Sequence, residues 1–381
     1  MVRFLHTSDW HAGRSWKGVS RLDELGAVLE HLGEVVERER VDVLLHSGDV
    51  FDMGAPPAEA ERLVFSFFRR VGRAGAAAVV LAGNHDSPAR LEAWGTLAEL
   101  AGVTAVGRPR HRLVEVAARS GEAVRVAAVP FAHPRALLEA RALLGDEVTA
   151  RRAYAEAFAS LVAALCAGFR PGVANVLLAH AHLEGALLSG SERAVHVEQD
   201  WAASAEAIPG SADYAGLGHL HRPQRVQGTG VPTFYAGSPL QLDFGEAGEE
   251  KGYLLVDVEP GQPTRATRLP YQGGRPLRKV AGSLAVLERD AESLRASGWL
   301  HVTVALQGPE PDVNGRVRRL LPNAVSVEVE RPSQAPPPAG VHASALPPRA
   351  LYAEYVRASR GAEPGDALLD AFDGLAPADG G

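Results

Sequence analysis

The residues best suited to do chemistry in this chain are aspartates, histidines and one asparagine, grouped in five short segments. Each segment follows an apolar run that is typical of a β-strand. In chain order they are Asp9-Trp10-His11, Gly48-Asp49-Val50-Phe51-Asp52, Gly83-Asn84-His85-Asp86, His180 after the apolar residues 176–179, and Gly218-His219-Leu220-His221. Together they offer enough oxygen and imidazole ligands for two adjacent divalent metal ions, which is the equipment for hydrolysing a phosphate ester.

The types and spacing of these residues support this interpretation. Asp9 and His11 are two residues apart, as are His219 and His221, so in an extended chain each pair lies on one face. Asp49 follows a strand and a glycine, where a carboxylate can bridge two cations. Oxygen and imidazole ligands without a thiolate favour Mn²⁺ or Mg²⁺, with iron and zinc as alternatives. Two metals roughly 3.5–4 Å apart can share a hydroxide, so no covalent nucleophile is needed.

Taken singly, each segment also has an ordinary structural explanation. Gly-Asp-x-x-Asp is often a helix cap or a turn, Gly-Asn-His-Asp suits a left-handed turn, and His180 alone would suit a core position. Their order and their positions after strands favour the metal site. His182 lies on the same face as His180 and is the alternative ligand.

The composition is that of a globular protein. The chain has 381 residues, 46% of them hydrophobic and 22% charged, which predicts two or three domains. One cysteine excludes an internal disulfide framework and a cysteine-built zinc site. The start of the chain lacks the apolar core of a secretory signal, and no apolar run is long enough to cross a membrane. We therefore expect a cytoplasmic protein with no membrane partner.

The charge balance argues only weakly against a nucleic-acid partner. There are 39 basic and 46 acidic residues, a formal net charge of −7. Several of the acids are candidate metal ligands, and two divalent ions would add four positive charges at the site itself. The basic residues are almost all arginines, whose planar groups bind phosphate through two hydrogen bonds.

The elements that must position these ligands alternate between strand and helix in the first 130 residues. Strands are predicted at 4–7, 41–46 and 77–81, and helices at about 22–40 and 58–73. This alternation indicates a buried, largely parallel sheet covered by helices. Ligands at the carboxyl ends of its strands then share one rim.

Later segments extend the domain to about residue 272 as two facing sheets. We predict strands at 113–116, 124–129, 173–179, 214–217, 233–235, 252–258 and 265–269, and helices at 134–144 and 149–167. Gly273-Gly274 and Pro276 then mark a boundary. Beyond it we predict a small α/β domain (273–331; helices 284–296 and 312–321, strands 299–306 and 325–329), a proline-rich linker (332–348) and C-terminal helices within 349–381, at 350–360 and 365–372.

With these motifs the sequence resembles the calcineurin-like metallophosphoesterase superfamily. The resemblance implies an α/β fold, a four-layer β-sandwich flanked by helices, with the small α/β domain as a cap and the C-terminal helices appended. It implies one metal held by Asp9, His11, Asp49 and His221, and a second held by Asp49, Asn84, His180 and His219. The resemblance favours His180 over His182 because Gly185 follows His180 by five residues, as in the family's pattern. It also implies that His85 protonates the leaving oxygen, that Asp86 orients His85, and that Asp52 lies beside the first metal.

Residues 4–13, 235–246 and 249–253, with the small domain, linker and terminal helices, are similar to the SbcD nuclease family. That resemblance implies a Mn²⁺-dependent 3'-5' double-strand exonuclease and single-strand endonuclease that processes DNA ends and hairpins in repair, recombination and replication. It further implies a partner ATPase, SbcC, whose coiled coil the last helices bind. By analogy, a homodimer would form through helices at 58–73 and 90–100. The predicted phosphate contacts are Arg14, Lys17, Arg108, Arg110, Arg193, Arg222 and Arg225, with Arg316, Arg318 and Arg319 of the small domain.

Two rival interpretations use the same ligands. A phosphatase or phosphodiesterase for small phosphoesters would keep both metals in a closed pocket, and turnover of small esters alone would favour it. A DNA-end tether with structural metals would not be an enzyme, and replacing His85 by alanine would leave its function intact.

Overall fold

A computed structural model describes residues 1–110, 112–133, 137, 147–189, 201–306, 308, 310–330 and 347–375. Its strands, in chain order, are β1 Val2–Thr7, β2 Ser15–Trp16, β3 Val19–Ser20, β4 Val43–His46, β5 Ala77–Leu81, β6 Val103–Val106, β7 Val114–Ala117, β8 Ala123–Val129, β9 Ala174–His180, β10 His182–Leu183, β11 Ala202–Ala203, β12 Tyr214–Gly218, β13 Gln224–Arg225, β14 Thr233–Tyr235, β15 Gly252–Val258, β16 Arg265–Pro270, β17 Leu277–Gly282, β18 Trp299–Ala305 and β19 Ala324–Glu330. The α-helices are α1 Leu22–Arg38, α2 Ala58–Arg73, α3 Pro88–Ala98, α4 Glu147–Cys166, α5 Leu284–Arg289, α6 Ala291–Arg295, α7 Val313–Leu320, α8 Pro348–Arg360 and α9 Asp366–Leu375.

The first large sheet has the strand order β16-β15-β1-β4-β5-β6. Strands β1, β4, β5 and β6 run parallel, whereas β15 pairs antiparallel with both β1 and β16. The parallel strands β1, β4 and β5 are buried almost throughout, as expected for a sheet covered on both faces. Because they run in one direction, the segments that follow Thr7, His46 and Leu81 emerge at the same edge.

The second large sheet has the order β13-β14-β12-β9-β8-β7. Its central strands β8, β9, β12 and β14 are parallel, and Gly218 at the end of β12 lies opposite His180 at the end of β9. The fourth and fifth ligand segments therefore also meet at one edge.

The two sheets pack face to face. Phe4 and Leu45 of the first sheet share one buried cluster with Val126 and Leu178 of the second. The outer face of the first sheet packs on α1, α2 and α3, and α4 covers the outer face of the second. Helix, sheet, sheet and helix form four layers, so the predicted sandwich is confirmed.

A third, smaller sheet has the order β17-β18-β19, with α5, α6 and α7 in its connections. Sequence periodicity predicted one helix at 284–296, but the structure ends α5 at Arg289 and begins α6 at Ala291. The reason is local: Asp290 leaves the helical backbone region (φ −96°, ψ 7°), and aspartate is a weak former of helix interiors.

The third sheet packs against the start of α1 and the segments that hold Trp16 and Phe244, through a small apolar cluster and a buried ion pair. Leu277 and Val325 pack with Trp16 and Phe244. The Glu24 carboxylate accepts hydrogen bonds from the guanidinium of Arg21, the main-chain amide of Arg275 and the indole of Trp299. Residues 1–304 and 311–328 form one compact unit.

A second unit comprises residues 305–310 and 329–381. Within it, the rings of Tyr352 on α8 and Phe372 on α9 stack with centroids 4.1 Å apart, and Arg349 forms an ion pair with Asp370. The predicted helix at 134–144 and the linker at 332–348 lie, for nearly all their length, outside the described residues. Among the described helices, none is long and apolar enough to span a membrane.

Candidate metal centre

The loops that carry the predicted ligands adopt backbone conformations that are unusual for residues with side chains. Asp9, His11, Asp49 and His219 all have positive φ angles, from 46° to 97°. Such conformations cost free energy and persist where the surrounding structure holds them, often at functional sites. Here hydrogen bonds hold them: the amide of Asp9 donates to the main-chain oxygen of Gly48, that of His11 to the main-chain oxygen of Asp49, and that of His219 to the Asp9 carboxylate.

Asp9, His11 and His221 form the first ligand cluster, with one ligand atom of each within 4.8 Å of the others. The Nε2 atoms of His11 and His221 lie 3.2 Å apart. The Nδ1 atom of His221 lies 3.3 Å from the Glu246 carboxylate, and that of His11 lies 3.3 Å from the Asp52 carboxylate. The Glu246 carboxylate favours the proton on Nδ1 of His221, so Nε2 of His221 presents a lone pair towards Nε2 of His11.

The second cluster is built around the side-chain oxygen of Asn84. It lies 2.9 Å from Nε2 of His180 and 3.0 Å from Nδ1 of His219. The Nδ1 atom of His180 lies 2.8 Å from the main-chain oxygen of Ser47. Because that oxygen only accepts, Nδ1 of His180 carries the proton and Nε2 is a second acceptor facing Asn84.

Asp49 lies between the two clusters. Its Oδ2 atom is 3.6 Å from Nε2 of His11 and 3.6 Å from Nε2 of His180. Its Oδ1 atom accepts a hydrogen bond of 2.9 Å from the main-chain amide of His85. The Asp49 carboxylate is thus held where it can be a ligand in both clusters.

The electrostatics of the centre favour bound cations. Burial raises the pKa of Asp49 well above its ordinary value, and the carboxylates of Asp9 and Asp86 add to the effect. Burial likewise lowers the pKa of the His11 imidazole well below its ordinary value, with His221 and His85 acting in the same direction. Buried carboxylates without a cation, and acceptor atoms facing acceptor atoms, are unfavourable. Divalent ions would relieve both conditions.

The donor set therefore fits two divalent metals. Asp9, His11, Asp49 and His221 would hold the first position, and Asp49, Asn84, His180 and His219 the second. Oxygen and imidazole ligands suit Mn²⁺, Mg²⁺ and other first-row divalent ions. When bound, such a pair supplies an activated water and stabilises the charge that develops on the phosphate.

The three residues predicted to assist catalysis lie beside the first position. Nδ1 of His85 lies 2.9 Å from the main-chain oxygen of Asp52, to which it donates, and the ring packs edge-on against His11. The Asp52 carboxylate contacts His11 and Arg14. The Asp86 carboxylate accepts hydrogen bonds from main-chain amides at positions 50, 51 and 83 and so holds the loop that carries His85; that it orients His85 remains a prediction.

The structure places His180, rather than its neighbour His182, against Asn84 and Asp49. His180 is the last residue of β9 and is buried, whereas His182 starts the short strand β10 and is half-buried. The identity of the ligand remains a prediction, which this geometry supports.

Two residues that sequence reasoning did not assign lie behind the first position. Glu246 is fully buried, and its second oxygen lies 2.6 Å from Nζ of Lys251. Burial acts to raise the pKa of Glu246, but the hydrogen bond with His221 and the charge of Lys251 outweigh it and hold the pKa at about 2. Both residues lie in the segments that resemble the SbcD nucleases, and that resemblance was the only signal that could have found them.

The predicted phosphate contacts have varied surroundings. Arg14 pairs with Asp52 and Arg108 with Glu92, whereas Arg222 is exposed on the segment just after the ligand His221. Arg193 lies outside the described residues. Contact of these cations with DNA remains a prediction.

Comparison with known proteins identifies the family to which this chain belongs. The profile of the calcineurin-like phosphoesterases matches residues 2–223, and the profile described as "Type 5 capsule protein repressor C-terminal domain" matches residues 274–357. The first match covers more than half of the chain and contains every predicted ligand.

Three bacterial relatives, each named as the D subunit of the nuclease SbcCD, match most of the chain. The protein of Bacillus subtilis (strain 168) is 34% identical over 280 residues, which are 73% of this chain and 72% of the relative. That of Rhodobacter capsulatus is 33% identical, covering 88% of this chain and 90% of the relative. That of Escherichia coli (strain K12) is 30% identical, covering 86% and 84%. The chain therefore belongs to the calcineurin-like phosphoesterases and, within them, to the SbcD family of nuclease subunits.

Proposed function

We propose that this protein is the nuclease component of a DNA-processing complex and hydrolyses DNA phosphodiesters with two Mn²⁺ ions. One observation carries the proposal: Asp49 Oδ2 lies 3.6 Å from the metal-facing nitrogens of both His11 and His180, which belong to two separate clusters of acceptor atoms. This is a fitting arrangement for a bridged metal pair. The names of the relatives supply the substrate class, because each is called a nuclease.

In this proposal the protonated His85 imidazole donates a proton to the leaving oxygen of the cleaved phosphodiester. Its Nδ1–H is held by the main-chain oxygen of Asp52 at 2.9 Å, so the ring is fixed and Nε2–H is the group left to donate. A positioned acid of this kind typically contributes a factor of roughly 10²–10⁴ in rate.

The remaining parts of the chain would bring DNA and partners to the centre. We assign residues 1–272 as the nuclease domain, 273–331 as a cap that steers the DNA, 332–348 as a linker and 349–381 as the segment that binds the SbcC ATPase coiled coil. On α8, Leu351 and Tyr355 are exposed, as a docking helix requires. Leu97 and Leu100 are exposed at and just beyond the end of α3, which suits a homodimer interface.

The specific activity that we propose is 3'-5' exonuclease action on duplex ends and endonuclease action on single strands and hairpins. These substrates arise in DNA repair, recombination and replication, and would place the protein at the nucleoid. Support for this assignment is the family membership and the phosphodiesterase chemistry of the centre.

A substrate panel tests the proposal. The purified protein, with and without the SbcC ATPase, is given linear duplex DNA labelled at one end, a hairpin, p-nitrophenyl phosphate esters and cyclic nucleotides, with Mn²⁺ or with a chelator. We expect Mn²⁺-dependent shortening of the duplex from its 3' ends and opening of the hairpin. Asp49→Asn should abolish both reactions, whereas Glu34→Gln, an exposed change on α1, should have no effect.

Turnover confined to the small esters would overturn the nuclease assignment in favour of a phosphatase or small-molecule phosphodiesterase. Cleavage from 5' ends would overturn only the polarity. Equal activity in the chelator would overturn the requirement for metal.

A further inference from the structure

Three imidazoles of the two metal positions differ in the group that stands behind them. At the first position, Nδ1 of His11 lies 3.3 Å from the Asp52 carboxylate and Nδ1 of His221 lies 3.3 Å from the Glu246 carboxylate. At the second position, Nδ1 of His180 donates instead to the main-chain oxygen of Ser47, 2.8 Å away, which carries no net charge.

Glu246 is fixed more firmly than an exposed carboxylate would be. It is fully buried, its Oε2 atom lies 2.6 Å from Nζ of Lys251, and it accepts a hydrogen bond of 3.1 Å from the amide of Leu242. Lys251 also donates to the main-chain oxygen of His221 at 2.9 Å. The ammonium group thus holds both the carboxylate and the backbone of the imidazole that the carboxylate contacts.

This arrangement has two physical consequences for the His221 imidazole. The carboxylate keeps the proton on Nδ1, so the Nε2 lone pair is always available to a metal. It also strengthens donation from Nε2 to a metal, because a negative charge beside the outer nitrogen raises the electron density on the inner one. A backbone oxygen does the first of these for His180 but supplies much less of the second.

We infer that Glu246, held by Lys251, is a positioning residue that makes the first metal position the tighter of the two. The centre then fills in order, with the Asp9, His11 and His221 position occupied before the Asn84, His180 and His219 position. This inference rests on the two-metal centre of the proposed function and adds to it an order of loading and the residue that sets it.

The test measures metal binding rather than cleavage. Metal-free protein is titrated with Mn²⁺ by calorimetry, and free Mn²⁺ is followed by its electron paramagnetic resonance signal. We expect two Mn²⁺ per chain in two steps, separated by at least about 10-fold in dissociation constant. The variant His180→Ala should keep only the tighter step and His221→Ala only the weaker one, which assigns each step to a position.

Glu246→Gln is the decisive variant. The amide oxygen can still accept from Nδ1 of His221, so geometry is preserved while the charge is removed. We expect the tighter step to weaken by about 10- to 100-fold, the usual range for changes behind a metal ligand, with the weaker step unchanged. Glu249→Gln is the matched control, because Glu249 also pairs with Lys251, at 2.9 Å, and this change leaves the contact between Glu246 and His221 in place.

Folding is checked by circular dichroism and by the melting temperature of the metal-free protein. If Glu246→Gln is unstable because Lys251 loses a partner, the double variant Glu246→Gln, Lys251→Met removes both buried charges and should show the same selective weakening. Unchanged dissociation constants, or equal weakening of both steps, would overturn the inference. Fewer than two Mn²⁺ bound by the unaltered protein would instead overturn the two-metal centre itself.

Discussion

Gly83 is packed so closely against Asp49 that a β-carbon at position 83 would overlap the Asp49 carboxylate and its main-chain nitrogen. Position 83 follows β5 and position 49 follows β4, and these strands are neighbours in the first sheet. The absence of a side chain at one position thus leaves room for the central ligand at the other.

Gly83→Ala should therefore displace Asp49 and abolish binding of the metal pair. The added methyl group has Asp49 backbone on one side, so relief requires the loop itself to move, at about 1–3 kcal/mol for an overpacked site. Calorimetric titration with Mn²⁺ measures the effect. Gly210→Ala is the control, because a β-carbon there meets nothing within 4 Å. Two Mn²⁺ bound with unchanged affinity in Gly83→Ala would contradict the prediction.

The ligand segments could be predicted from sequence because each lies at the end of its strand or just after it. A buried strand is a run of apolar residues, and the polar residues at its end lie at the edge of the sheet. This reasoning located the segments that hold His180 and Asn84. The pairing of Glu246 with His221 could not be predicted in this way. Acidic and basic residues near a glycine, as at 245–251, are typical of an exposed loop, and only the packing of the whole domain buries this one.

A domain boundary was likewise predicted at Gly273-Gly274 and Pro276. In the structure this segment connects β16, in the first sheet, to β17, in the third. The sequence did not show that side chains distant along the chain bind the main chain at the start of the third sheet. Glu24 and Gln241 supply acceptors for the main-chain amides of Arg275 and Leu277. Such long-range polar contacts leave no periodic pattern in the sequence.

Glu24→Ala should destabilise the protein strongly. Glu24 pairs with the buried guanidinium of Arg21, 2.7 Å away, and its removal leaves that charge uncompensated, at about 3–5 kcal/mol for a broken buried pair. Urea unfolding monitored by circular dichroism gives the free energy of unfolding. Glu34→Ala on the exposed face of the same helix should change it by less than about 0.5 kcal/mol. Equal stability of the two variants would show that the buried pair contributes nothing.

His6 should make the stability of the protein depend on pH. His6 is fully buried, and burial lowers its pKa from 6.5 to about 3. Between these values the unfolded chain binds a proton that the folded protein does not. Stability from this group is therefore complete above pH 6.5 and is lost as the pH falls towards 3, by up to about 1.4 kcal/mol per pH unit.

His6→Gln should accordingly reduce the slope of unfolding free energy against pH between about 6.5 and 4, measured in a chelator so that metal does not contribute. Part of the slope should remain, because burial also lowers the pKa of His11 and His46. Tyr214→Phe is the matched control. It removes the hydroxyl that lies 2.9 Å from Nδ1 of His6 but keeps the histidine, so it should lower stability by about 0.5–1.5 kcal/mol without flattening the curve. The same slope in His6→Gln as in the unaltered protein would exclude His6 as its source.

His85→Ala should distinguish the contribution of His85 as a general acid from the contribution of the metals. A DNA alkoxide is a poor leaving group and needs a proton, so we expect cleavage of duplex DNA to fall by about 10²–10⁴-fold, with Mn²⁺ binding and DNA binding retained. A p-nitrophenyl ester of a nucleotide releases a stable phenolate without a proton, so the same variant should hydrolyse it at close to the rate of the unaltered protein. Asp49→Asn, which removes the shared ligand, should lose both activities. Equal losses on DNA and on the activated ester would mean that His85 supports the metal centre, whereas full retention of DNA cleavage would mean that it takes no part in the reaction.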